Sequence, residues 1–117
     1  MNTPATPVPA MPVSLDGWDI TRAADTDWMP WGEGDHARAK IVGSADGYLV
    51  ALVEAEPGYT GTPHEHTSAE FLFLIEGRLR NQGQIMQSGD GYGAAAGSTH
   101  VDFAAEQPSR YLSIFKL

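Results

Sequence analysis

The chain has no cysteine, so neither disulfides nor thiolate ligands are open to it, and its compartment cannot be read from redox chemistry. No stretch nears the roughly 20 consecutive apolar residues that a membrane span needs. The N-terminus also lacks a basic region followed by an apolar run, so a secretory signal is not expected. Bases are few: seven against fifteen acids, for a formal charge of −8. A nucleic-acid partner would call for a basic stripe, and none is present. A strongly anionic substrate is disfavoured as well, unless a bound dication reverses the field locally. Charged residues are only 19% of the chain and apolar ones 42%, enough for one core in 117 residues. The expectation is one soluble, cytoplasmic domain with an acidic surface and no membrane contact.

Long amphipathic helical periodicity and internal repeats are missing too. Residues 1–15 carry Pro4, Pro7, Pro9 and Pro12, a composition that favours extended conformations and forms no core alone; they read as a tail, or an arm laid on a partner. Residues 16–117 read as the folded domain. A short strand or turn is expected between Asp16 and Asp27, with Trp18 and Ile20 on one face. Trp28-Met29-Pro30-Trp31 reads as an edge segment, since proline cannot donate to a ladder. Glycine-punctuated strands follow: Ala39 to Val42 and Tyr48 to Glu56 around Gly43–Gly47, then Arg78 to Arg80 and Gln84 to Gln87 around Asn81-Gln82-Gly83. Gly91 to Ala94, His100 to Phe103 and Tyr111 to Lys116 complete the set. Short strands at this spacing predict an all-β sandwich or barrel.

Of four histidines, three fall in a ligand-like pattern. His64 and His66 are two apart, so on a strand both face one point while Glu65 turns away. Glu70 can open the next strand toward that point, and His100 follows a Gly97-containing turn. Three imidazoles and a carboxylate suit one divalent transition metal: iron first, with manganese, nickel, zinc or copper also accommodated. The alternative is a barrel that keeps these groups as hydrogen-bonded core residues. It would leave Glu70 desolvated at the head of an apolar strand without a partner. His36, in Gly34-Asp35-His36-Ala37, reads as solvated surface.

These residues resemble the cupin superfamily. Gly58, His64, His66, Glu70 and Gly77 meet its first motif without a gap. Gly89, Gly97 and His100 meet the second, with Ala95 at the motif's proline and Ala104 at its asparagine; both departures are at positions that shape the backbone, not at ligands. The resemblance runs from about Trp28 to Leu117 and implies a single-domain jelly-roll β-barrel with a metal at His64, His66, Glu70 and His100. Trp28-Met29-Pro30 before a short strand is similar to small cupins related to dioxygenases of β-diketones and hydroxyacetophenones. The outline also resembles the zinc-binding cupin domain of anti-sigma regulators. Cupin lyases of sulfonium substrates carry a tyrosine shortly after the motif glutamate, where this chain has Phe71, Leu72 and Phe73.

Alternation along that strand points Glu70, Leu72 and Leu74 inward and Phe71, Phe73 and Ile75 outward. A strand apolar on both faces needs a second cover, and a homodimer would supply it. Leu72, Leu74, Trp28, Trp31 and Phe103 are the expected pocket walls. Four protein ligands leave two octahedral positions for a small-molecule chelator, neutral or singly charged. Glu70 and His100 are the expected catalytic residues, with Glu70 able to detach and take a proton. Tyr48, Tyr59 and Tyr92 read as packing aromatics or proton donors, and Asp102 as an imidazole's acceptor, a substrate-facing group or plain surface. With few acid–base groups in view, the leading reading is a metal-dependent dioxygenase of a β-diketone, phenol or catechol. A non-catalytic metal sensor and a metal-dependent isomerase are the alternatives.

Overall fold

The computed structural model describes residue 6 and residues 11–117; the proline-rich arm expected over 1–15 lies mostly outside the described residues. Among the described residues, eleven strands follow a single 3-10 turn at Ala23–Asp25: β1 (Met29–Pro30), β2 (Ala37–Ala45), β3 (Tyr48–Ala55), β4 (His64–Glu65), β5 (Glu70–Glu76), β6 (Arg78–Asn81), β7 (Gln84–Gln87), β8 (Gly91–Ala94), β9 (Thr99–His100), β10 (Phe103–Ala105) and β11 (Ser109–Lys116). Six form one sheet in the order β1-β2-β3-β11-β5-β8, three form a second as β10-β6-β7, and β4 pairs β9. Every named pairing is antiparallel. Apolar side chains from the sheets meet inside, and the result is the expected jelly-roll barrel.

Two hairpins owe their shape to residues in the left-handed region. Asp46 and Gly47 have φ of +53° and +82°, and Gln82 and Gly83 have +50° and +73°. Such two-residue turns match the right-handed twist of their strands. Consequently β2 runs on to Ala45, and the five-residue link expected over Gly43–Gly47 shrinks to two. The expected strand His100 to Phe103 is broken: His100 ends β9 and Phe103 begins β10, in different sheets. Around Trp18 and Ile20 the chain forms no strand, and both side chains are exposed.

Period-2 alternation on β5 came out as expected. Leu72 and Leu74 are buried, whereas Phe71, Phe73 and Ile75 remain 48%, 49% and 40% exposed. The same alternation on β3 and β11 buries Ala51, Val53, Tyr111 and Ser113 and turns Leu52, Leu112 and Ile114 to the outer face. Leu74, Leu79 and Val53 are fully enclosed, each worth about 1.5–3 kcal/mol of transfer free energy. Gly77, with φ +105°, ends β5 where no side chain fits: a Cβ there would lie 2.5 Å from the Pro108 carbonyl oxygen.

Candidate metal centre

β4 and β9 are only two residues each, yet their register decides the site. His64 pairs directly with His100 across them, so both rings leave the same face. The ladder continues past β4 through His66 N–H to Ser98 O at 2.8 Å and Gly97 N–H to His66 O at 2.7 Å. That brings the third ring alongside. Ring centroids lie 4.9 Å (His64–His66), 5.3 Å (His64–His100) and 5.3 Å (His66–His100) apart. One nitrogen from each ring falls within 4.8 Å of the others. His66 and His100 are 7% and 8% exposed, and His64 stands at the open side.

Each ring has one nitrogen already committed. His64 Nδ1–H donates to Thr62 O at 2.7 Å, and His100 Nε2–H donates to Asn81 Oδ1 at 2.6 Å. Ser98 Oγ gives its only proton to Ala95 O at 2.6 Å, so it accepts from His66 Nδ1–H at 2.9 Å. These acceptors assign the tautomers and leave a lone pair on His64 Nε2, His66 Nε2 and His100 Nδ1. Second partners of this kind are how proteins orient metal-binding imidazoles.

Glu70 opens β5 and brings its carboxylate to the same place. Oε2 lies 3.1 Å from His66 Nε2 and 4.0 Å from His100 Nδ1. With the tautomers assigned, the 3.1 Å contact joins two acceptors, which repel unless a cation or an extra proton sits between them. A proton would satisfy that pair alone and leave the other two lone pairs facing each other. A divalent ion would satisfy all four groups. Burial holds the His100 imidazole below its ordinary pKa; Glu70 opposes this, while the charges of His64 and His66 reinforce it. The shift favours the neutral imidazole, the form a ligand needs. The donor set of three imidazoles and a carboxylate fits a divalent transition metal.

The group opens onto a cavity of about 280 Å³ lined on its apolar side by Trp31, Leu72, Phe103 and Phe115. Three expected wall residues, Trp31, Leu72 and Phe103, are there. Trp28 is not: three residues from Trp31, it takes the other side of the chain and packs under Arg38 (4.2 Å) and Lys40 (4.8 Å). Leu74 points inward as expected but sits too deep, roughly 13 Å along the strand from Glu70, and is enclosed in the core. Asp102 reaches the cavity rim yet holds no imidazole. It is bound by Arg80 Nε at 3.0 Å and Gly83 N–H at 3.0 Å, and these partners keep its carboxyl below the usual range. His36 is exposed, as expected.

The pocket is richer in hydroxyls than the sequence indicates. Tyr92 O–H donates to Glu70 Oε2 at 3.0 Å. Burial first, and then the charge of Glu70, raise its pKa far above the ordinary phenol value, so it stays a donor. Tyr59 and Tyr111 also line the cavity, both with pKa raised by burial. Tyr92 was among the tyrosines read as packing aromatics or proton donors; what the sequence did not indicate was its partner, because Glu70 comes from β5, next to β8 in the sheet. Asn81 carried no signal at all.

The sequence profile of the ChrR cupin-like domain matches residues 18–116. The pectin degradation protein KdgF of Dickeya dadantii (strain 3937) is 30% identical over 99 residues, 76% of this chain and 86% of that protein. Among solved structures, KdgF from Halomonas sp. superposes with a TM-score of 0.71 at 21% identity, covering 84% of this chain and 92% of the other. A candidate acetylacetone dioxygenase from Methylibium petroleiphilum PM1 gives 0.68 at 16% identity, over 97% and 81%. These two likenesses bear on the fold. With the profile spanning most of the chain, this protein belongs to the cupins, in the family of ChrR cupin-like domains.

Proposed function

We propose that this cupin is a metal-dependent enzyme that chelates a small oxygen-bearing substrate at His64, His66, Glu70 and His100 and works on it by acid–base chemistry. The observation that carries the reading is Glu70 Oε2, shared between the imidazole lone pairs and the Tyr92 hydroxyl at the floor of the cavity. When bound, a divalent metal supplies Lewis-acid polarisation of a chelated carbonyl or hydroxyl. Glu70, once detached from the ion, would take a proton beside that carbonyl, with Tyr92 steadying and orienting the carboxylate. The three tyrosine hydroxyls, with Thr62 and Ser113, line a cavity able to accept a hydroxylated substrate. Neutral imidazoles and one carboxylate leave the centre near +1, which favours a singly charged chelator. A hydroxylated acid of the kind that pectin breakdown yields has that charge and chemistry, and the 30% identical relative is a pectin degradation protein.

A second reading keeps the same ligands and substrate size but adds dioxygen: oxidative cleavage of a β-diketone or a phenolic or catechol chelator, with iron as the metal. The apolar wall of Trp31, Leu72, Phe103 and Phe115 favours it. The two separate in one experiment. Protein reconstituted with ferrous iron or manganese is given hydroxylated sugar acids without oxygen, and diketones and catechols in an oxygen electrode. Anaerobic turnover establishes the first reading; oxygen uptake establishes the second. Silence in both arms with tightly held zinc would make the barrel a sensor.

Homodimerisation belongs to the same proposal. The outer face of the large sheet carries Phe71, Phe73 and Ile75 exposed beside the half-buried Leu112 and Ile114. Light scattering that gives a clean monomer would remove it.

A further inference from the structure

Between β9 and β10 the chain leaves one sheet for another, and Val101 and Asp102 lie in no strand. This is the segment that carries His100, and such a crossing would ordinarily leave its backbone groups without ladder partners. The tip of the β6–β7 hairpin takes their place. Gln82 Oε1 accepts from Val101 N–H at 2.7 Å and Asp102 N–H at 3.1 Å. Its amide Nε2 donates to Thr99 O at 3.1 Å, and its backbone N–H donates to Asp102 O at 2.7 Å. One exposed residue thus holds the backbone on both sides of His100. Its neighbour Asn81 accepts from the ring itself at 2.6 Å. Gly83 N–H and Arg80 Nε bind the Asp102 carboxylate and close the clamp.

Gln82 does this at a conformational cost. It sits at φ +50°, in a turn position where glycine or asparagine would be easier. Nothing in the hairpin needs glutamine; the contacts to the His100 segment do.

We infer that the β6–β7 tip is the positioning element of the metal centre: Gln82 sets the height of the His100 backbone, and Asn81 selects the ring nitrogen that faces His64, His66 and Glu70. The inference rests on the metal reading above and names residues that hold one ligand without touching the ion. Asn81 and Gln82 are positioning residues.

The test uses Gln82→Gly, Asn81→Ala and Asn81→Asp in the full chain, with His66→Ala and His36→Ala as references. Zinc affinity is read by competition with a chromophoric chelator. The His100 tautomer is read in the metal-free protein by long-range proton–nitrogen NMR, a signal that simple loss of stability would not move. Gln82→Gly relieves the turn and removes the side-chain clamp, so the metal-free protein should melt no lower than the parent while zinc binding weakens about 10–100-fold. Asn81→Ala should weaken binding comparably and turn the single Nε2–H tautomer into a mixture. Asn81→Asp keeps the acceptor and should restore both. Parent-like zinc affinity in Gln82→Gly and Asn81→Ala, alongside lost binding in His66→Ala, would overturn the clamp alone. Parent protein that binds no zinc, or His66→Ala that binds as well as the parent, would overturn the metal reading and the clamp with it.

Discussion

Glu54 and Glu70 are two carboxylates of one large sheet, on opposite faces, with opposite solutions to the same electrostatic problem. Glu54, on the outer face of β3, accepts from Arg38 Nη2 at 2.7 Å and from the Arg110 guanidinium on β11. Arg110 first, and Arg38 after it, hold its carboxyl below the usual carboxylate range despite partial burial. Its charge is resolved by the protein's own cations. Glu70, on the inner face of β5, meets no arginine or lysine. It meets a phenol and the lone pairs of imidazoles. A self-neutralised group asks for nothing further, whereas a converging set of acceptors asks for a cation. That difference separates a surface ion network from a functional site.

The strongest way to break the comparison is to remove a ligand. His66→Ala or Glu70→Ala should lower metal affinity by two orders of magnitude or more, while His36→Ala leaves it unchanged; equal metal content in all three by elemental analysis would refute the assignment. Next, loading the site should raise stability by about 2.7 kcal/mol at a hundredfold excess over Kd, seen as a melting rise of roughly 10 °C that a chelator reverses. Arg110→Ala should keep that rise in full, because its cluster takes no part in binding. Gly77→Ala should cost more than about 1 kcal/mol by forcing a side chain into a left-handed position against Pro108, measured by denaturant unfolding of metal-free protein.

Smallest is the Glu54 network itself. Its arginines are 44% and 54% exposed, and solvent screening limits the Glu54–Arg110 pair to about 0.5 kcal/mol or less. The sign is set by the lowered pKa: the contribution is present above the unfolded value of 4.5 and fades as pH falls through the lower folded value. Arg110→Ala should therefore cost that small amount at neutral pH, and the difference from the parent should close as pH falls below about 4.5, flattening the acid limb of the stability profile.

Much of this was legible along the chain because it is local. A period of two places His64 with His66, and Glu70 with Leu72, without any knowledge of neighbours; glycines at strand ends mark the turns; and the residues from Gly58 to Gly77, with His100 beyond, resemble the cupin motifs, a resemblance that implies the barrel. Misplacements arise where a partner is remote. Trp28 and Trp31 look equivalent in sequence and fall on opposite sides of the chain. Leu74 shares Glu70's face and lies one layer too deep. Asp102 shares His100's parity yet is taken by Arg80 from another strand.

Residue types and their separations thus determined which side chains could form a centre, and on which face of which strand. The tertiary structure alone decided how they are used: that Tyr92 meets Glu70, that Asn81 and Ser98 leave one nitrogen free on the His100 and His66 rings, and that Gln82 spans the gap beside His100. Strand period is written by covalent geometry into a few consecutive residues. Cross-sheet partners depend on register, twist and the crossing of β9 into β10, which only the closed barrel brings together.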